Sequence, residues 1–175
     1  VINGNVINSG IITPSFNGSA TNLTVNGNYI GNGGNFSGAI YAPAINPVAD
    51  TLTVTGNASG TTGLTITDKG GLGNRTTGNG IPVIIVNGTS TSNAFALNQR
   101  VAAGAYEYQL YKGGSSGVGN SWYLSTQAPA PASTPTPSPS PTPTPAPEVV
   151  TTPIITPAAG ERIEVAVYPA VPSLV

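Results

Sequence analysis

A strand pattern written twice sets the terms on which this chain can fold. Residues 22–29, NLTVNGNY, place Leu23 and Val25 on one side and Thr24 on the other, then turn at Gly27-Asn28. Residues 50–57, DTLTVTGN, repeat it: Leu52 and Val54 match Leu23 and Val25, and Gly56-Asn57 match Gly27-Asn28. Period-two alternation of apolar and polar side chains marks a half-buried strand, and near-copies in series mark stacked repeats. A third copy, GLTITDKG at 63–70, keeps Leu64 and Ile66 and ends in a turn. It is expected to add a further rung, with Thr65 and Thr67 one rung beyond Thr51, Thr53 and Thr55.

Other short strands fill the intervals. Val1 to Pro14 alternates β-branched pairs with Asn-Gly and Ser-Gly turns, as in a repeat array entered in mid-course. Asn35–Tyr41 is a weaker strand, and Ile81–Val86 and Ala94–Leu97 come after it. Pro82 should mark the first residue of its strand or an edge. Turn signals roughly every 12–18 residues fit a sandwich or a solenoid. The near-copies, the Asn and Gly corners and the scarcity of long side chains favour the solenoid.

Composition narrows the function classes. Charged residues make up 6% of the chain and the net charge is −1. Nucleic-acid binding needs a basic patch, and docking on anionic lipid needs a polybasic segment, so neither partner is expected. The chain has no Cys and no His, which removes disulfides, thiolate metal sites and the commonest general base. It has no Met and is expected to be a piece of a longer protein. No apolar run is long enough to cross a bilayer as a helix.

A solenoid needs its last rung covered, because that rung exposes unpaired backbone groups and an open apolar cross-section. Ala105 to Gln127 is the densest aromatic stretch, with Tyr106, Tyr108, Tyr111, Trp122 and Tyr123. Two strand-like runs, Tyr106–Tyr111 and Ser121–Leu124, flank a loop rich in Gly and Ser. The stretch from about 81 to 127 is therefore expected to be the cap of a domain spanning 1–127. From Ala128 proline recurs at nearly every second position, excluding helix and ladder. Residues 128–160 are expected to form an extended polyproline linker, and 161–175 begin a further element.

No catalytic constellation stands out, and no metal or cofactor is expected. Of the acids in the folded part, Asp50 and Asp68 lie at strand-end and turn positions and Glu107 points outward between Tyr106 and Tyr108. No Gly-x-Ser-x-Gly elbow or phosphate loop is present. Asn-x-Ser/Thr triplets at Asn17, Asn22, Asn35, Asn57, Asn74 and Asn87 arise from composition. Tyr106, Tyr108, Leu110, Trp122 and Leu124 are expected to be core.

The series LTVNGNYIGNGG, DTLTVTGN, GGLG, FALNQRVAAGAYEYQLYKGG and NSWYLSTQ resembles the C-terminal part of autotransporter (type V secretion) passenger domains of the pertactin-like kind. The resemblance covers roughly Ile11 to Gln127, and EVAVYPAVPSL at 164–174 looks like the join to a translocating β-barrel. It implies a right-handed parallel β-helix with a C-terminal hairpin-rich cap, the autochaperone, that folds first outside a Gram-negative cell. By that resemblance Tyr106, Tyr108, Leu110, Trp122, Tyr123 and Leu124 form the folding nucleus. The implied function is non-enzymatic, with an adhesive surface for host receptors or glycans as the alternative. The implied partners are the protein's own C-terminal β-barrel and the host-cell surface. The implied place is the cell surface or outer membrane, with release from the cell as a further expectation. Absence of Cys suits a chain that crosses a narrow pore unfolded.

Overall fold

The computed structural model describes residues 1–14, 19–43 and 46–129, and these are all-β. The strands are β1 (Ile2–Asn3), β2 (Val6–Asn8), β3 (Ile11–Ile12), β4 (Asn22–Asn26), β5 (Tyr29–Tyr41), β6 (Val48–Ala49) and β7 (Thr51–Val54). They continue with β8 (Ala58–Asp68), β9 (Ile81–Val86), β10 (Phe95–Leu97), β11 (Val101–Ala103), β12 (Tyr106–Lys112) and β13 (Trp122–Ser125). A 3₁₀ turn at Gly114–Ser116 is the one helical element among the described residues. No helix among them is long and apolar enough to cross a membrane.

Two sheets hold these strands. In the first, β1, β4, β7 and β9 pair in parallel, and β13, β12 and β11 are added antiparallel. In the second, β2, β5, β8 and β10 pair in parallel. Four times the chain leaves a strand of the first sheet, turns a corner and enters a strand of the second: β1 to β2, β4 to β5, β7 to β8 and β9 to β10. We term each of these a pass.

The repeat legible in the sequence sets the register. Leu23 pairs with Leu52 and Val25 with Val54, and the next pass puts Ile84 and Val86 in the same columns. Leu52, Val54 and Ile84 are fully buried, so like packs on like along the stack. The third copy behaves differently from expectation. Leu64 lies in β8, where it pairs with Phe36 and Leu97 in the second sheet. It therefore belongs to the same pass as Leu52, and Thr65 is not a rung beyond Thr53. The outward row of the first sheet runs Thr24, Thr53, Ile85 instead.

The corner between the sheets explains the Gly-Asn pairs. Gly56 donates its N–H to Gly27 O at 2.9 Å, and Gly88 donates to Gly56 O at 3.1 Å. A Cβ on Gly56 would lie 2.8 Å from Gly27 O and 2.4 Å from Asn28 Oδ1. Only glycine lets successive passes approach this closely. The asparagines then form their own ladder. Asn28 donates its N–H to Asn5 Oδ1 at 2.8 Å, Asn57 to Asn28 Oδ1 at 2.9 Å, and Thr89 to Asn57 Oδ1 at 2.8 Å. Each corner N–H, which a bend would otherwise leave without a ladder partner, is satisfied by the side chain of the preceding pass. Other Asn-x-Ser/Thr asparagines serve similarly, since Asn35 Oδ1 accepts from Asn98 Nδ2 at 2.8 Å and from Thr65 Oγ1 at 3.2 Å.

Two irregularities have local causes. β5 runs Tyr29–Tyr41, longer than the weak strand expected, because Gly33 is accommodated as an extra residue between Asn32 and Gly34. Pro82 is the second residue of an internal strand, not its first and not an edge. It is tolerated because pairing with β7 starts only at Ile84, and because the β13 register shifts beside it. The linker from residue 130 onward, the segment 161–175, and Ser15-Phe16-Asn17 lie outside the described residues.

The corner yields a contrast measurable by urea denaturation. Gly56→Ala should lose about 1–3 kcal/mol through forced backbone displacement. Gly10→Ala, where an added Cβ meets nothing within 4 Å, should stay within about 0.5 kcal/mol of the parent.

Candidate functional site

The parallel stacking of the first sheet ends at β9, and the antiparallel strands β13, β12 and β11 close it. β9 pairs with β7 on one side and with β13 on the other, so Leu52, Ile84 and Trp122 stand in one line across the sheet. β13 pairs with β12 and β12 with β11. The sheet thus passes from parallel to antiparallel and finishes on a strand of three residues, a short edge that offers little to a stray chain. Even this edge is approached by the segment between β8 and β9: a Cβ built on Gly73 would lie 2.1 Å from Ala103 O. The β12–β13 loop folds tightly, with the 3₁₀ turn flanked by Gly113 (φ 70°) and Gly117 (φ 65°) in the left-handed region, which glycine reaches without strain.

The six residues singled out in the sequence do not share one environment. Tyr108, Trp122 and Leu124 are buried in the core cluster, and Leu110 is half-buried against it. Tyr123 alternates outward between Trp122 and Leu124, is half-buried, and pairs with Tyr111 across the strands. Tyr106 is 37% exposed. It shares the face of Tyr108 by period, but it lies at the strand end, where only β11 and the Gly73 backbone reach it.

The buried members are tied down by polar bonds as well as by packing. Trp122 donates Nε1–H to Ser90 Oγ at 2.9 Å. Ser90 donates its N–H to Asn120 Oδ1 at 3.1 Å, and Val86 donates its own to Ser121 Oγ at 3.1 Å. Asn120 therefore takes over the acceptor role that Asn28 and Asn57 play lower in the stack. Tyr108 O–H donates to Asn74 O and accepts from Asn74 N–H, both at 3.0 Å. Thr76, 5% exposed, meets Ser125 Oγ at 3.0 Å and Thr126 Oγ1 at 3.1 Å. Residues 69–80 thus bridge the antiparallel strands β12 and β13 to the passes.

Aromatic contacts carry the cap into the stack. Phe95 meets Trp122 edge-on, with ring centroids 5.7 Å apart at 74°, and stacks on Tyr29 at 5.8 Å and 25°. Such pairs add about 0.5–1.5 kcal/mol beyond area burial. Tyr29 reaches Asn8 and Thr62 through its hydroxyl at 2.8 and 3.0 Å. Phe95, Tyr29, Ser90, Asn74 and Thr76 were missed by sequence reasoning. Only the Phe in a short apolar run offered a signal.

The acids are engaged structurally. Glu107 pairs with Arg100 at 2.9 Å, so it is not simply solvated, although both side chains are well exposed and such pairs contribute little. Asp50, expected at an ordinary strand end, is instead 4% exposed and hydrogen-bonded. Burial, and secondarily the Asp50 carboxylate, push the Tyr41 phenol above its ordinary value. Asp68 accepts from Gly70 N–H at 3.0 Å, closing a turn. Among the described residues no group of three or more His, Cys, Asp and Glu is placed to hold a metal ion.

The polar anchors can be weighed by denaturation. Tyr108→Phe should cost about 1–2 kcal/mol by removing the hydroxyl that bonds Asn74, and Trp122→Phe about 1–3 kcal/mol by stripping the bond to buried Ser90 and leaving a cavity. Tyr106→Phe should lie within about 0.5 kcal/mol of the parent.

Comparison with known proteins adds the family. Residues 4–110 match the family described as Autochaperone Domain Type 1. The chain is 40% identical over 123 residues to Uncharacterized protein YuaQ of Escherichia coli (strain K12), covering 70% of this chain and 9% of that protein. It is 37% identical over 125 residues to Adhesin BmaC autotransporter of Brucella suis biovar 1 (strain 1330), covering 67% of this chain and 4% of that protein. It is 42% identical over 72 residues to Autotransporter adhesin AIDA-I of Escherichia coli, covering 41% of this chain and 5% of that protein. The chain spans less than a tenth of the length of each of these relatives. With a matched span that runs from the first corner glycine into the cap strand β12, the chain belongs to the autochaperone type 1 family of autotransporter proteins.

Proposed function

We propose that the four passes are coils of a right-handed parallel β-helix and that the antiparallel strands from Val101 to Ser125 form its cap. Sequence reasoning set the cap from about residue 81. The parallel pairing of β9 and β10 with the previous pass favours starting it at Val101. On this reading residues 1–127 are the C-terminal end of a larger surface-displayed passenger, and the chain beyond tethers it to its own β-barrel in the outer membrane. The module performs no catalysis. It supplies a folded end on which the rest of the passenger is built.

The observation that carries this reading is that β13, β12 and β11 close one side of the first sheet and share a core with the fourth pass, whose β9 pairs in parallel with the pass before it. A first coil has no neighbour to stack on, so ordering it costs conformational entropy with little return. Trp122, Tyr108 and Leu124, with Leu110, bury apolar surface against the fourth pass worth roughly 25 cal/mol per Å², before any earlier coil is needed. Tyr123 and Tyr106 contribute at the rim. Each later coil then adds a ladder and a buried column to a surface already in place. No ATP is required, and the free energy of stacking biases the chain outward.

A second reading is adhesion by this surface itself, which the adhesin names of two relatives favour. The two separate on intact cells displaying the full-length protein with Trp122→Ala and Tyr108→Ala together. Loss or degradation of the displayed passenger, with normal barrel insertion, is the expected result. Normal display and protease resistance with host-cell binding alone reduced would sink the folding role in favour of adhesion.

A further inference from the structure

Asp50 stands between β6 and β7, 4% exposed, in a chain with only 6% charged residues. Its Oδ1 accepts the N–H of Thr21 at 2.8 Å and the hydroxyl of Thr21 at 3.1 Å, and its Oδ2 accepts the N–H of Ala39 at 2.9 Å. The backbone repeats the connection, with Asp50 N–H to Ala39 O and Thr51 N–H to Thr21 O, both at 2.8 Å. Thr21 immediately precedes β4, and Ala39 lies near the end of β5. They are the two ends of the second pass, and Asp50 is the entry of the third. One carboxylate on the third pass therefore grips both ends of the second.

Along the corner the Gly and Asn ladders align the passes, and along the strands the sheet does. Where the second pass leads into the third, β6 pairs with β5 over two residues and β5 runs beside β8 as far as Ile40 opposite Asp68; the Asp50 carboxylate adds a side-chain bridge to both ends of the second pass. The register places Thr21 and Pro82 at the positions equivalent to Asp50 in the neighbouring passes, so neither neighbour carries a carboxylate there.

We propose that Asp50 is the receiving group for the second pass, a positioning residue that favours the native alignment. The inference rests on the reading that passes are added from the cap outward, so that the third is in place before the second arrives. Until then the Asp50 carboxylate is hydrated. The arriving pass must displace that water, and in the native alignment it does so with the N–H groups of Thr21 and Ala39 and the Thr21 hydroxyl. A pass slipped by two residues, with Leu23 in the place of Thr21, would keep the inner face apolar and would still present a backbone N–H, but the buried carboxylate would lose its hydroxyl donor, which is unfavourable. The carboxylate thus disfavours an alternative that the Leu-x-Val pattern tolerates.

Refolding of the full chain with pulsed hydrogen exchange tests this. In Asp50→Asn one backbone N–H faces an amide nitrogen in place of an oxygen. Amides of 21–41 should gain protection at least about tenfold more slowly, while 51–68, 81–97 and the cap keep their rates. In the folded state the Thr21 and Ala39 amides should exchange about tenfold faster. Asp50→Leu removes both the grip and the rejection. Because the chain has no cysteine of its own, Thr24→Cys with Thr53→Cys reports native register, and Thr24→Cys with Thr51→Cys reports the slip that sets Leu23 in the place of Thr21. Slipped cross-links should appear in Asp50→Leu and be absent with Asp50 intact. A second pass that keeps pace with the third in Asp50→Asn, with the cap still protected first, would overturn the role of Asp50 alone. Equal slowing of every region would reduce Asp50 to general stabilisation and would also overturn it. Late protection of the cap in the unsubstituted protein would instead overturn the nucleus reading beneath it.

Discussion

The close approach of backbone to backbone at the corner is the constraint on which this structure depends. Two sheets must meet at a bend, and at the bend each pass loses the regular ladder to its neighbours. The solution is a glycine whose missing Cβ lets the next pass come within hydrogen-bonding reach, then an asparagine whose side chain supplies the acceptor that the bent backbone cannot. Everything else is aligned by that corner. It brings Leu52 between Leu23 and Ile84, and Val54 between Val25 and Val86. Apolar columns then form without any long-range recognition, because the same corner recurs in each pass.

The cap inherits this logic and then ends it. The fourth pass has Thr89 where the second and third carry Asn28 and Asn57, so the side-chain ladder has no further acceptor to offer of the same kind. Asn120 and Ser121 arrive from the β12–β13 loop and take over. The change of strand direction at β13 replaces a parallel edge, which could accept more of the same repeat, with a hairpin that runs out in three residues. Among the described residues the first sheet thus ends on a parallel strand, β1, at one side and on an antiparallel strand, β11, at the other.

How much of this was legible in the sequence depends on whether the information is local. The β4–β7 pairing was legible because period and corner repeat together. The placement of Leu64 was not, since Leu-Thr-Ile-Thr looks the same in either sheet and only the length of the connection decides. The burial of Asp50 was hidden because an acid before a strand ordinarily meets water, and its donors lie 11 and 29 residues away. Phe95 was overlooked in a three-residue strand whose weight comes from Trp122 and Tyr29, not from its own neighbours. Within the aromatic block, alternation correctly separated Trp122 and Leu124 from Tyr123. It could not foresee that Tyr106, on the same face as Tyr108, would sit beyond the covering layer.

The position of β13 has a mechanical corollary. It is the last described strand, and it lies inside the sheet, between β9 and β12, antiparallel to both. Tension entering at Ser125 pulls along the strand axis, so the ladders on its two flanks bear load simultaneously and must slide together. A strand held at a free margin would instead peel one bond at a time under far less force. The C-terminal end of the described strands is thus held against traction on both flanks.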